Sequence, residues 1–307
     1  MKQNEDTNPK MSPFMKAIKA AHNVVGNSGV LSPEELEKRR HSEESISKLA
    51  TPSVSIAFEK FNIEHMDAQW AVPRHPHSKK PVILYCHGGG FSCGGLGYAG
   101  VLAGKLALHT GLSVLSYAYR LTPEFPYPAA ITDTMQVWDY LMHLGYGASD
   151  VIVAGDSAGG NLALELTLML KEQGRMLPKA LILMSPWTDM TITASSYTKY
   201  KDVDPILSYD YIVGARKSYL GEDTDYENPH YSPLFADLSG FPPTMIQAGS
   251  NEILRSDSEH LLKALRKAGS HAVLEIYKDG FHVFQQMPIP KASKALDDAN
   301  DFIQSIL

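Results

Sequence analysis

The sequence predicts an α/β fold: one mostly parallel, twisted, eight-stranded sheet flanked by helices, with a helical cap. Three observations carry that prediction. Short apolar runs alternate with longer helix-like stretches from residue 81 to the C-terminus, which is the pattern of a parallel sheet with both faces covered. A glycine-rich Gly155-Asp156-Ser157-Ala158-Gly159-Gly160 joins an apolar run directly to a helical one. A polar, aromatic and proline-rich stretch between Pro186 and Pro243 breaks the alternation without a convincing strand.

In order, Pro13 to Asn23 and Ser32 to Ser47 read as helices. The second is opened by Ser32-Pro33-Glu34-Glu35, an N-cap, a proline at the first helical position and acids in the first turn. Ser53 to Ile63 and Met66 to Val72 are β-like. The six apolar strands that follow are Pro81 to Cys86, Ser113 to Tyr119, Val151 to Ala154, Ala180 to Met184, Thr244 to Gln247 and Ala272 to Tyr277. Between and after them, helices are expected at Tyr98 to His109, Ala129 to Leu144, Ala158 to Gln173, Ser256 to Ala268 and Lys291 to Ile306. Within the interruption, only helices around Asp189 to Tyr197 and Ser208 to Tyr219 are expected. A long excursion at the carboxyl end of a strand builds a lid or pocket wall, so it is expected to pack with the N-terminal helices. The chain then divides as cap helices in 1–50, a first core part in 51–186, a cap insertion in 187–230 and a second core part in 231–307, one domain overall.

The formal net charge of −6, from 34 acidic and 28 basic residues without a block of like charge, points to neither nucleic acid nor an anionic membrane as partner. A small, weakly charged molecule is the expected ligand. Cys86 and Cys93 are the only cysteines, one in an apolar strand and one in a glycine-rich loop, so a reducing compartment is expected rather than a disulfide framework. Met1 to Lys10 lacks a basic start and an apolar stretch, and no apolar run reaches the roughly 20 residues that span a bilayer. A cytoplasmic protein without a membrane span is expected.

A serine on a tight strand-to-helix turn is a nucleophile elbow, its Oγ projecting from the sheet edge. Gly155 and Gly159 stand where a Cβ would collide with a neighbouring element. His87-Gly88-Gly89-Gly90-Phe91 follows the first strongly apolar strand and offers Gly88, Gly89 and Gly90, with Ala158, as main-chain donors to an oxyanion. The alternative reading, a phosphate cradle, lacks both G-x-x-x-x-G-K-S/T and a correctly placed G-x-G-x-x-G. Serine needs a base, and His282, in the loop between the last strand and last helix, returns to the edge that carries the elbow. His109, His143, His260 and His271 lie on other elements, and His87 serves through its backbone. The acid is expected after the strand Thr244 to Gln247, where Glu252 and Asp257 both stand. Glu252, at the strand end, is preferred over Asp257 in the following helix turn and over Asp279, close to His282 in sequence. No metal-ligand pattern is present, so no metal is inferred.

With these residues in place, the chain closely resembles the hormone-sensitive-lipase-like esterases, the bacterial family IV of the α/β-hydrolase fold, over about residues 70–307. The resemblance rests on His87 to Phe91, on Gly155 to Ala163, and on Tyr119-Arg120-Leu121-Thr122-Pro123-Glu124-Phe125-Pro126-Tyr127-Pro128-Ala129, similar to the family's Y-R-L-A-P-E-x-P-x-P-A. It implies a cofactor-free serine carboxylesterase acting on short- to medium-chain acyl esters, with Ser157, Glu252 and His282 as triad. Many relatives have Asp-Pro-Leu where Glu252-Ile253-Leu254 stands. Ala118 replaces an aspartate common before the Tyr-Arg pair, so Arg120 is expected to find another partner, with Glu124 the candidate. An amidase or deacetylase would use the same triad. A non-catalytic small-molecule binder of this fold would typically have lost part of it, and this chain has not. Phe91, Trp187, Tyr197, Tyr209 and Tyr211 are candidates for a substrate pocket or, more commonly for such aromatics, the cap core. Pairing of the last strand edge to edge would give a homodimer.

Overall fold

The structure, a computed structural model, describes residues 11–23, 32–50, 55–76 and 81–307. Met1 to Lys10, and Ser53 and Val54 at the expected start of the first strand, lie outside the described residues.

Strands β1 (Ile56–Ile63) and β2 (Met66–Pro73) form an antiparallel hairpin across Glu64 and His65. β2 then pairs antiparallel with β4 (Val114–Tyr117). From β4 onward every pairing is parallel, through β3 (Val82–Cys86), β5 (Val151–Asp156), β6 (Ala180–Met184), β7 (Thr244–Gly249) and β8 (Ala272–Tyr277), in the order β1-β2-β4-β3-β5-β6-β7-β8.

The central strands read as unbroken apolar runs because helices cover both faces. Every residue of β3, β5, β6 and β7 is buried. Val82, Leu84 and Cys86 join the core beneath α4 (Ala129–His143), α5 (Ala158–Glu172) and α8 (Arg255–Lys267). The alternating Ile83 and Tyr85 join the opposite core, beneath α3 (Leu96–Thr110) and α9 (Pro290–Ile306). The parallel register places the carboxyl ends of β3, β5, β6, β7 and β8 on one edge: Cys86 faces Gly155, Asp156 faces Met184, and Gly249 faces Tyr277.

Two elements differ from expectation. β4 stops at Tyr117, because Tyr119 turns its hydroxyl to the His87 carbonyl (2.9 Å) and the Arg120 N–H goes to Asp133 (2.8 Å). The helix expected around Asp189 to Tyr197 forms only at α6 (Ser195–Lys199). Asp189 Oδ1 instead accepts from Thr191 N (2.8 Å) and Thr191 Oγ1 (2.6 Å), a local bond that competes with helix.

Over the carboxyl edge lies α7 (Tyr209–Leu220), whose N-cap Ser208 Oγ accepts from Tyr211 N. The N-terminal helices α1 (Pro13–Asn23) and α2 (Pro33–Ala50) meet this region. Lys19 Nζ donates to Asp202 O (3.2 Å), and the Arg39 guanidinium sits 4.2 Å from the centre of the Tyr211 ring. No helix among the described residues is long and apolar enough to cross a membrane.

Candidate active site

Ser157 sits between β5 and α5 with φ +54° and ψ −120°, a conformation an L-residue adopts only under constraint. The constraint is close packing. A Cβ on Gly155 would fall on the Gly159 carbonyl, and one on Gly159 would fall on the Cys86 carbonyl, so strand and helix touch backbone to backbone. Ser157 N donates to Met184 O (3.0 Å), and its carbonyl accepts from Gly160, Asn161 and Trp187 N–H. The strained turn is thereby over-determined. Ser157 Oγ lies 2.9 Å from His282 Nε2.

His282 reaches that point through the loop after β8. A Cβ on Gly249 would strike the backbone of Gly280 and Phe281, so the two strand ends approach as closely as backbones can, and Asn251 N donates to Gly280 O (2.9 Å). Val283 N donates to Ser185 Oγ (3.2 Å), and the same hydroxyl donates to Glu252 Oε2 (2.8 Å). Ser185, at the end of β6, therefore links the histidine loop to the acid. Sequence reasoning missed it, and its one signal was position: a serine following a strand adjacent to the elbow strand.

Glu252 is fully buried, and its Oε2 also accepts from Gly249 N (3.1 Å). Its Oε1 is buried without a hydrogen-bond partner. Burial pushes the carboxyl up to about 8, against the hydrogen bond from Ser185, which favours ionisation. Asp257 is equally buried and also pushed up to about 8, chiefly by burial. Its Oδ2 is occupied by the N–H groups of Thr188 (2.8 Å) and Asp189 (3.1 Å), which makes it an anchor for the loop after β6. Asp279 is solvent-exposed at φ +54°, its N–H given to Ser250 Oγ.

In the glycine loop, the Gly88 N–H donates to Asp156 Oδ1 (2.9 Å) and is not available to an oxyanion. This corrects the expectation that Gly88 serves as a donor; a Cβ there would strike the Asp156 carboxylate, so Gly88 is needed for closeness. Gly89, at φ +102°, Gly90, at φ +60°, and Ala158, at the start of α5, donate their N–H groups to no protein acceptor among the described residues. Asp156 is a second group that sequence reasoning left unassigned. Besides Gly88 N, its carboxylate accepts from Tyr85 OH (2.5 Å) and Tyr98 OH (2.9 Å), and burial raises it to about 6. The buried His87 ring stacks on Tyr119 at 4.2 Å with its Nδ1 2.8 Å from Gly88 O; burial lowers it to about 4, so it is neutral and carries its proton on Nδ1.

Arg120 pairs with Asp133 of α4 (2.7 Å), not with Glu124, which is held bidentately by Arg40 of α2 (2.7 and 2.9 Å). Phe91, Trp187, Tyr197 and Tyr211 are buried, Phe91 stacked on Tyr219 at 3.7 Å, whereas Tyr209 is 39% exposed. Tyr211 also touches the glycine loop, donating to Gly89 O (3.3 Å). No cluster of three or more potential ligands among the described residues could hold a metal ion.

A strained serine at the carboxyl edge, within hydrogen-bond reach of a histidine and beside open main-chain donors, is an arrangement suited to acyl transfer on an α/β sheet. Residues 83–286 match the family model described as alpha/beta hydrolase fold. An esterase of Acinetobacter venetianus is 38% identical over 231 residues, covering 75% of this chain and 76% of its own. An acetyl-hydrolase of Streptomyces hygroscopicus is 31% identical over 277 residues, covering 88% and 90%. The crystal structure of an esterase from the bacterial hormone-sensitive lipase family superposes with a TM-score of 0.88 at 29% identity, covering 97% of this chain and 99% of that one. The chain belongs to the α/β-hydrolase fold family, among its hormone-sensitive-lipase-like esterases, and is a carboxylic ester hydrolase.

Proposed function

We propose that the protein hydrolyses short- to medium-chain acyl esters through an acyl-enzyme, with Ser157 as nucleophile, His282 as general base and Glu252 as the acid that orients it. The observation that carries this reading is the 2.9 Å contact between Ser157 Oγ and His282 Nε2 on a turn strained to hold it. Nε2 takes the hydroxyl proton as Oγ attacks the ester carbonyl. Glu252 Oε1, unbonded in the resting site, takes up the Nδ1 hydrogen bond as the imidazolium forms and stabilises that charge. The N–H groups of Gly89, Gly90 and Ala158 receive the oxyanion, each worth ~3 kcal/mol in the transition state. The imidazolium returns its proton to the leaving alkoxide, the alcohol departs, and water repeats the sequence to release the acid and regenerate Ser157.

Support for a short acyl group comes from α7. A Cβ on Gly90 would lie 2.7 Å from Tyr211 Oη and 3.3 Å from Ala215 Cβ, so this helix closes directly over the loop that receives the carbonyl.

The test is hydrolysis of p-nitrophenyl esters from acetate to palmitate by wild type and Ser157→Ala, with p-nitroanilides alongside. Serine-dependent release that peaks at acetate to hexanoate is expected. Ester hydrolysis surviving in Ser157→Ala would refute the nucleophile, faster anilide turnover would assign an amidase, and a folded wild type inert toward all of them would assign a binding protein.

A further inference from the structure

We propose that Lys105, on α3, is a positioning residue for the general base, its ammonium holding the turn after His282 so that the imidazole stays at Ser157. The inference rests on the triad reading above. Lys105 Nζ donates to three successive main-chain carbonyls, Gln285 O (3.1 Å), Gln286 O (2.7 Å) and Met287 O (2.8 Å). An ammonium has three N–H donors, and all three are used. The carbonyls belong to the carboxyl end of the 3-10 turn Phe284–Gln286, where a cation also meets the negative end of the peptide dipoles.

The turn needs such an anchor. Val283, between His282 and the turn, is β-branched yet held at φ +49°, which persists only where surroundings over-determine it. Besides Lys105, Val283 N is fixed by Ser185 Oγ, and Gln285 Nε2 donates to Gln247 Oε1 (3.1 Å). Of these anchors, Lys105 alone brings a charge and three bonds. It is partly buried and its amine is lowered to about 8 by burial, so its placement on main-chain oxygens has an energetic cost that a solvated surface lysine avoids.

The helix that carries Lys105 also serves the other half of the site. Tyr98, seven residues earlier and on the same face, donates to Asp156 Oδ2, and Asp156 Oδ1 takes the Gly88 N–H. One rigid α3 thus references both the glycine loop and the histidine loop to the same frame.

The experiment compares wild type, Lys105→Met, Lys105→Gln and Lys105→Cys, the last before and after treatment with 2-bromoethylamine, which rebuilds an ammonium at lysine length. Cys86 and Cys93 are fully buried, and wild type treated identically is the control. Readouts are kcat and KM for p-nitrophenyl acetate, the rate of Ser157 labelling by a fluorophosphonate, and the melting temperature. Loss of kcat and of labelling rate by about 10- to 100-fold with KM little changed is expected in all three unmodified variants, and aminoethylation of Lys105→Cys should recover most of it. Folded variants that keep wild-type kcat and labelling, or an aminoethylated variant that recovers nothing while melting like wild type, would overturn the inference. Failure of wild type to label at Ser157 would instead overturn the triad reading.

Discussion

At the scale of single residues, the site depends on buried carboxyl groups whose work differs although their chemistry is the same. Glu252 is tied through the Ser185 hydroxyl to Val283 N in the histidine loop, whereas Asp257 Oδ2 is committed to two backbone amides of the loop after β6. Glu252→Gln should therefore lower kcat by about 10³- to 10⁴-fold, because the amide presents the wrong tautomeric partner to His282. Asp257→Asn keeps an oxygen for both amides and should stay within a few-fold of wild type. The reverse pattern in steady-state assays would exchange their roles. Asp156 is different again: fully buried, it holds the Gly88 N–H and two tyrosine hydroxyls. Asp156→Ala removes the acceptor of the buried Gly88 N–H and of both tyrosine hydroxyls, at a cost of about 1–3 kcal/mol for each buried donor left unpaired. Urea unfolding should register that loss, together with a kcat reduced more than KM is raised.

At the scale of elements, the N-terminal helices and the sheet-bearing part of the fold are joined by contacts distant in sequence. Arg40 of α2 donates to Ser92 O (2.8 Å) and Thr122 O (2.7 Å) as well as to Glu124, so it ties α2 to the glycine loop and to the proline-rich segment together. The two carbonyl bonds matter more than the ion pair, since Glu124 is half exposed and such pairs contribute about 0–1 kcal/mol. Glu124→Ala should be almost silent. Arg40→Ala should lower kcat and expose α2 to earlier proteolysis, and equal effects of the two substitutions would contradict this ranking. These pairings also mark where sequence reading stops. Strands β3, β5, β6 and β7 and helices α3, α4, α5, α8 and α9 were legible because burial imposes an apolar period that local sequence must carry. The partners of Arg120 and Glu124 were not, because Asp133 and Arg40 are chosen by how helices pack. The open N–H groups of Gly89 and Gly90 were legible as a motif, but the commitment of Gly88 to Asp156 follows only from the approach of β3 to β5. Ser185 was hidden for the same reason.

For the whole molecule, the buried acids set opposing dependences of stability and activity on pH. Burial raises Asp156 and Asp204 to about 6 and Glu252 and Asp257 to about 8, against about 4 in an unfolded chain. Between those values the folded state retains protons that the unfolded state has lost, so the stability from these groups is full below pH 4 and declines as pH rises toward 8. The net charge of −6 adds self-repulsion in the same direction. In the proposed mechanism activity runs the other way: it requires Glu252 ionised and His282 neutral when Ser157 is deprotonated, so kcat/KM should climb across pH 6 to 8. Unfolding free energies from urea titrations at pH 5, 7 and 9 should fall steadily for wild type. They should fall less steeply for Asp257→Asn, whose amide cannot titrate and still accepts from Thr188 and Asp189. A wild-type stability that rises with pH, or an Asp257→Asn slope equal to that of wild type, would mean that Asp257 is ionised in the folded protein throughout. The alkaline range would then combine highest activity with undiminished stability instead of trading one for the other.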